Sequence, residues 1–302
     1  MNNLADPSSY LLGIVLAMLS GLSNSFGTVL QKKIVNEHRD DEEFMKNLVK
    51  NPTWLVGMIM QMAIGSIFFM TAQVFIGPAL IPGLMSVGLI ILALGSVKIV
   101  GESLKSTDIV GIALMILGTT LLGFSELSIE IAEHNLVEIN FVIRMTIFTA
   151  ILLVSALACI FLQKRVEKFQ AIFFAIASGF MFSLTNFWIS PLMGVIAQVF
   201  GGVASWGELI IFICSSVILV LAYMWGIKWI QDAFKYGQAS NLIPIQQVPI
   251  QITPIFVYFV IFLLAAPYAH SFLYMFFGVG LIISSSFLLA KRQAQLEEIT
   301  KD

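Results

Sequence analysis

The sequence predicts an all-α, polytopic membrane protein with about nine transmembrane helices joined by short connections. Of the 302 residues, 58% are hydrophobic and only 11% are charged, whereas a soluble domain carries about 25% charged residues. Apolar runs of about 20 residues, the length that crosses a bilayer as a helix, recur along the whole chain. Each run is expected to be helical, because a helix satisfies its own backbone polar groups in lipid.

The apolar runs define nine predicted spans. They cover residues 9–30, 54–75, 79–100, 109–124, 139–162, 171–190, 207–230, 238–265 and 271–290. The first run has no basic region before it and is too long for the core of a signal peptide, so we expect a retained first helix. The apolar link at 191–205 is interpreted as an interfacial segment on the outer side.

The basic residues predict the orientation of the chain. With nine spans, 15 of the 16 Lys and Arg residues fall in or beside connections on one side, and only Arg144 falls on the other. The positive-inside rule therefore predicts an outer N-terminus and a cytoplasmic C-terminus. We expect a multi-pass protein of the plasma membrane, surrounded by the lipid bilayer and without a nucleic-acid partner.

Two pairs of segments indicate an internal repeat. Residues 13–25 and 171–183 lie 158 positions apart and agree at five of thirteen positions. The matching pairs are Ile14/Ile172, Ala17/Ala175, Ser20/Ser178, Gly21/Gly179 and Ser25/Ser183. Residues 75–86 and 235–247 share a glycine, a proline and a following apolar helix at an offset of about 160.

The repeat predicts two four-helix halves joined by a linker helix. The first half is predicted at 1–125 and the second at 169–290. Residues 126–168 would hold an outer loop, the linker helix and a cytoplasmic loop, and 291–302 would form a cytoplasmic tail. Because the copies are offset by five helices, an odd number, they would insert in opposite orientations, as in many secondary transporters.

The segment "NLIPIQQVPIQITPIF" at 241–256 combines helix breakers with amides in an apolar surrounding. A proline lacks an N–H and releases the carbonyl four residues before it, and that carbonyl needs another partner in a membrane. We therefore predict bends or hinges at Pro244, Pro249 and Pro254, and at Pro82 in the third span. Gln247 and Gln251 would share one helix face.

Polar side chains at similar depth in several spans are the predicted substrate-binding residues. They are Asn24, Gln61, Asn186, Gln246, Gln247, Gln251, Ser20 and Ser183. Unpaired amides are costly to expose to lipid, so this set is expected to face the interior of the bundle. The alternative function of the same groups is hydrogen bonding between helices.

Acidic residues are missing from the middle of every predicted span. A proton relay is therefore not predicted, because it would need a buried titratable group. Glu102 and Asp232 each follow a lysine by four residues at a span end, and we interpret both pairs as exposed helix pairs rather than gates. Catalytic motifs and metal-ligand spacing are also missing, so we expect neither an enzyme nor a cofactor nor a structural metal site.

The segment at 77–124 resembles the drug/metabolite transporter superfamily and its EamA-like members. It begins with a proline-started helix, continues with Gly101 and Glu102 in a short polar turn, and ends in a glycine-rich helix. Nine spans with an outer N-terminus are most similar to the NIPA-like branch, which is described as transporting magnesium. The resemblance implies two four-helix halves around a central cavity and alternating access.

Three functions are compatible with these observations. The first hypothesis is a secondary transporter for a small polar metabolite, because the predicted cavity offers neutral amides whereas magnesium usually binds carboxylates. The second is transport of magnesium or another divalent cation. The third is a membrane scaffold or sensor without transport, and a homodimer is open in each case.

Overall fold

Nine helices that can cross a membrane are present in the computed structural model, which describes residues 7–39, 41, 43–76, 81–127, 129 and 135–299. Within these residues the helices are numbered here as spans 1 to 9 in chain order. They are Tyr10–Glu37, Pro52–Ala72, Ile81–Val100, Ser106–Phe124, Ile139–Gln163, Gln170–Phe200, Trp206–Tyr236, Ala239–Ile261 and Ser271–Leu296. The prediction of an all-α membrane protein is therefore confirmed.

Span 6 is longer than predicted and takes in most of the 191–205 link. The helix passes through Pro191 and ends at Phe200, and Gly202 then adopts a left-handed φ of 70°. Proline is tolerated inside a membrane helix where neighbouring groups satisfy the backbone that it frees. Residues 191–200 therefore continue span 6, and only a short turn precedes Trp206. The interfacial position of 191–205 stays a prediction.

Three spans contain a single π-helical turn among the described residues. These turns are Met60–Ile64 in span 2, Ser96–Val100 at the end of span 3 and Val257–Ile261 at the end of span 8. A π turn shifts the backbone hydrogen bonds by one residue and leaves a carbonyl available to another donor. The turn in span 2 is the one that serine side chains contact.

The described chain divides into two compact units. The first comprises the described residues of Met1–Leu127, Phe234–Ile245 and Ala266–Asp302, and the second those of Ser128–Ala233 and Gln246–Ala265. Spans 7 and 8 therefore each belong partly to one unit and partly to the other. The predicted boundaries of the two four-helix halves stay a prediction.

Small residues bring spans 4 and 9 together in the first unit. A Cβ atom placed on Gly118 would lie 2.8 Å from the carbonyl oxygen of Gly278, so the two backbones approach closely there. Seven residues earlier in span 4, the carbonyl of Gly111 accepts a hydrogen bond of 2.6 Å from the Ser285 hydroxyl. Small residues and such interhelical hydrogen bonds are what hold membrane helices together.

Aromatic side chains form the core of the second unit. Phe148 of span 5 and Phe187 of span 6 meet edge to face with ring centroids 5.2 Å apart. The adjacent Trp188 donates its indole N–H to the Thr149 hydroxyl at 3.0 Å. Pairs of this kind add about 0.5–1.5 kcal/mol beyond the area that they bury.

The connection between spans 1 and 2 carries a short helix, Phe44–Lys50. Just before it, the Asp41 carboxylate accepts a hydrogen bond of 2.7 Å from Asn47 and lies 2.8 Å from Nδ1 of His38. The bond from Asn47 and then the contact with His38 hold the pKa of the Asp41 carboxyl below its ordinary value. Asp41 is therefore expected to stay ionised in mildly acidic solution.

The close approach of spans 4 and 9 predicts a steric effect on stability. Gly118→Val should lower the free energy of unfolding by about 1–3 kcal/mol, because the added carbons overlap the Gly278 backbone. Gly280→Val is the matched control, since nothing lies within 4 Å of a Cβ there. Thermal unfolding of both purified variants in detergent measures the difference, and equal midpoints would contradict this account of the packing.

Candidate functional site

Serine hydroxyls of span 1 bind the backbone of span 2 on both sides of its π turn. Ser23 donates to the Met60 carbonyl at 2.8 Å, and Ser20 donates to the Gly65 carbonyl at 2.7 Å. Ser20 is completely buried. These two serines therefore provide partners for carbonyls at the point where the helix is irregular.

Two predicted amides lie in the same region of the first unit. Gln61, inside the π turn, accepts a hydrogen bond of 2.8 Å from the Gln31 amide. The Asn24 amide lies against the Gly65 backbone. A Cβ atom placed on Gly65 would be only 3.3 Å from Asn24 Oδ1. Asn24 and Gln61 are both half-buried. The structure thus brings Ser20 and Asn24 to the same residue of span 2, Gly65, one turn after Gln61.

A buried hydrogen-bond chain links three spans of the second unit. Gln246 of span 8 donates to the Ser178 hydroxyl at 2.8 Å, and Ser178 donates to the Gly226 carbonyl of span 7 at 2.7 Å. Gln246 is only 4% exposed. The Gln246 amide therefore holds helices together. Ser183, by contrast, donates within its own helix, to the carbonyl of Gly179.

The other predicted residues of the second unit are more accessible. Gln251 donates to the Gln247 amide oxygen at 3.3 Å, one turn away along span 8, and both side chains are half-buried. Asn186 of span 6 is exposed. These three residues have the accessibility that contact with a solute requires.

The same contacts recur at the positions that the predicted repeat pairs. Ser20 and Ser178 each donate to a glycine carbonyl on the next span, Gly65 and Gly226, over the same distance. The residue after each serine is a glycine, and both glycines pack against backbone. A Cβ on Gly21 would overlap the Met85 carbonyl, and one on Gly179 would overlap the Gln246 carbonyl. These paired contacts are what a duplicated three-helix arrangement would produce.

Span 8 stays helical through all of its prolines. The helix Ala239–Phe256 contains Pro244, Pro249 and Pro254 without a break, and the π turn Val257–Ile261 follows. Pro244 and Pro249 are buried and Pro254 is exposed. Pro82 lies in the first turn of span 3. Their role as hinges stays a prediction.

Glu102 is not part of an exposed pair with Lys98, so our interpretation of that spacing is wrong. The helix ends at Val100, and Gly101 after it, with a φ of 82°, turns the chain and removes Glu102 from the helical spacing. Glu102 is 8% exposed. Its carboxylate accepts hydrogen bonds from Ala239 N at 2.7 Å, from Ser240 N at 3.1 Å and from the Ser240 hydroxyl at 2.7 Å. A carboxylate at a helix N-terminus is stabilised by the unsatisfied N–H groups there.

Three further charged side chains are buried that sequence reasoning missed. Lys32 is 4% exposed and donates to the carbonyls of Phe234 and Gly237, the latter at 2.7 Å. Asp108 is completely buried, and its Oδ2 lies 3.8 Å from Nε of Arg292. In the sequence these residues are indistinguishable from charges that reach the aqueous phase at helix ends.

Neutral oxygen atoms are the available ligands near the middle of the spans. Among the described residues, no group of three or more His, Cys, Asp or Glu side chains could hold a metal ion. The half-buried amide oxygens of Asn24, Gln61, Gln247 and Gln251 could instead accept hydrogen bonds from a solute or from the water shell of an ion.

A family model described as "Magnesium transporter NIPA" matches residues 8–295, nearly the whole chain. The chain belongs to this family. No curated protein and no solved structure matches it. The match confirms the resemblance that the segment at 77–124 suggested, and it identifies a multi-pass membrane transporter of the NIPA family. It supports our second hypothesis, a divalent cation as the substrate, better than our first, a small polar metabolite.

The paired serine contacts predict paired effects on stability. Ser20→Ala should lower the free energy of unfolding by about 1 kcal/mol, because it leaves the buried Gly65 carbonyl without its hydroxyl donor. Ser178→Ala should lower it by about 2 kcal/mol, because it removes the donor to Gly226 and also the acceptor of the buried Gln246 amide. Ser284→Ala is the control, since this exposed hydroxyl bonds only within its own helix. Thermal unfolding in detergent measures all three variants. A loss at only one of Ser20 and Ser178 would contradict their equivalence.

Proposed function

We propose that this protein transports magnesium or a closely related divalent cation across a membrane. The observation that carries the proposal is the family match over residues 8–295. The nine spans and the polar groups within them supply the setting that such transport needs. The metabolite hypothesis depended on the missing carboxylates, and that argument is weaker because neutral oxygens can also hold a hydrated ion.

The ligand chemistry that we propose follows from how magnesium binds. Mg²⁺ gives up its water reluctantly and usually keeps several water molecules when a protein holds it. Amide and carbonyl oxygens can accept hydrogen bonds from those waters without any carboxylate. We assign this role to Asn24 and Gln61 in the first unit and to Gln247, Gln251 and Asn186 in the second. Ser20, Ser183 and Gln246 would position helices, since their polar groups already bond within the protein.

The transport cycle that we propose is alternating access between two inverted repeats. The recurrence of the Ser20 and Ser178 contacts supports the repeat. The orientation, with the N-terminus outside and the C-terminus in the cytoplasm of a plasma-membrane protein, rests on the distribution of basic residues.

Flux in proteoliposomes tests the function and the ligand residues together. Wild-type protein should carry Mg²⁺ to an entrapped fluorescent indicator. Gln247→Leu and Gln251→Leu should each slow uptake by about tenfold, the effect of losing about 1.4 kcal/mol of interaction with the ion's water shell. Gln295→Leu, at an exposed glutamine near the end of span 9, should leave uptake unchanged.

The controls separate the two parts of this proposal. Uptake of a polar organic solute without any Mg²⁺ uptake by the wild type would reject cation transport. Normal Mg²⁺ uptake by well-folded Gln247→Leu and Gln251→Leu would keep the function but remove these residues from the site.

A further inference from the structure

We infer that the carbonyl oxygens of Phe234 and Gly237, together with the Glu102 carboxylate, form a second cation site at the turn between spans 7 and 8. The resident cation in this state is the ammonium group of Lys32. A divalent cation takes its place when Lys32 withdraws. The identity of that cation rests on the proposed function, whereas the site itself rests on the contacts around Lys32.

The end of span 7 supplies an unusual binding place for a cation. The last carbonyls of a helix have no partner within the helix, and the helix dipole makes this end negative. Lys32 donates to one such oxygen, that of Phe234, and to the carbonyl of Gly237 just after the helix, and its Nζ also lies 5.8 Å from the centroid of the Phe234 ring. An ammonium group that is almost fully buried is therefore held by carbonyl oxygens and an aromatic face.

Glu102 adds a fixed negative charge beside this place. Its carboxylate accepts hydrogen bonds from the backbone of Ala239 and Ser240, which lie two and three residues after Gly237. Three donors from Ala239 and Ser240, at the first turn of span 8, hold the carboxylate independently of Lys32. If Lys32 leaves, the negative charge stays, and a buried charge without a counter-ion is strongly unfavourable. A cation that replaced Lys32 would restore the balance of charge.

The turn that carries the site is held by span 9. Gln293 accepts a hydrogen bond of 3.1 Å from Gln238 N and donates one of 3.4 Å to the Tyr236 carbonyl. These bonds fix the backbone of the turn on both sides of Gly237. Oxygen atoms that are held in position before a cation arrives lose less conformational entropy when they bind it.

One buried amide beside the turn still has oxygen and nitrogen atoms without a partner. Asn241 is completely buried, and neither its Oδ1 nor its Nδ2 makes a hydrogen bond within the described residues. It lies in the first turns of span 8, immediately after Ser240. Buried polar groups are normally satisfied, so an unsatisfied amide here indicates that a further polar group is bound in another state.

The chemistry favours an exchangeable cation over a purely structural lysine. Carbonyl and carboxylate oxygens are the ligands that hard divalent cations prefer, and transporters use the carbonyl ends of interrupted helices to hold ions. A lysine that merely capped span 7 would not need to be buried, because an exposed one reaches the last carbonyls equally well. Exchange of Lys32 for an ion would also release span 1 from the turn, so ion binding and movement of span 1 would be coupled.

Cation rescue of a lysine-free variant tests the site. Lys32→Ala should lower the midpoint of thermal unfolding of the full-length protein in detergent. Millimolar MgCl₂ should then raise that midpoint more than it raises the wild-type midpoint, relative to NaCl at equal ionic strength. Lys33→Ala is the matched control, because Lys33 is the next residue and is exposed. The double variant Lys32→Ala, Glu102→Gln should lose the extra Mg²⁺ response.

An equal Mg²⁺ response in wild type and Lys32→Ala would overturn the inference and leave Lys32 as a structural cap. Lys32→Gln, which keeps most of the side-chain length, serves if Lys32→Ala does not fold. Failure of both variants to fold with Mg²⁺ present throughout purification would also overturn it. Thermal unfolding is measured independently of transport. If the wild-type protein took up no Mg²⁺, the proposed function would be rejected, and the rescue experiment would still test the site.

Discussion

The architecture depends on the need to give every backbone carbonyl in a membrane a partner. The chain departs from regular helix at several places, among them the π turn of span 2 and the turn between spans 7 and 8. Protein donors meet the carbonyls near these irregularities: the Ser20 hydroxyl at Gly65 and the Lys32 ammonium group at Phe234 and Gly237. Because lipid offers no hydrogen bonds, donors of this kind stabilise a helix where it is irregular. An irregular helix, in turn, offers oxygen atoms that a cation can use.

For the proposed cation transport, this constraint explains how the described residues could serve without a cluster of carboxylates. A bare magnesium ion would need charged ligands, but an ion that keeps most of its water needs hydrogen-bond acceptors. Neutral oxygens also bind more weakly, which allows the ion to leave again. The proposed ligands, such as Gln61 and Gln247, would therefore bind an ion weakly enough to release it during transport. Charge is confined to the span ends among the described spans, where Glu102 is held by the first turn of span 8.

The number and type of the helices could be predicted from the sequence because apolar length and the placement of basic residues determine both. The end of span 6 could not be predicted, because the sequence does not show whether the helix continues through Pro191. The buried charges also escaped prediction. The sequence suggested that Glu102 pairs with Lys98 on one helix face, because the spacing does not show the left-handed turn at Gly101. The repeat placed Ser20 and Ser178 in equivalent positions, but only the structure shows that both bond to a glycine carbonyl.

Ligand-dependent thermal stability of the purified wild-type protein tests the central claim, binding of a divalent cation, most directly. The protein in detergent would be compared in Mg²⁺, amino acids, nucleosides, sugars and polyamines at equal ionic strength. A ligand at 100 times its dissociation constant stabilises the folded state by about 2.7 kcal/mol. Our account predicts such a shift with Mg²⁺ and none with the organic solutes. A shift with one organic class and none with Mg²⁺ would contradict it.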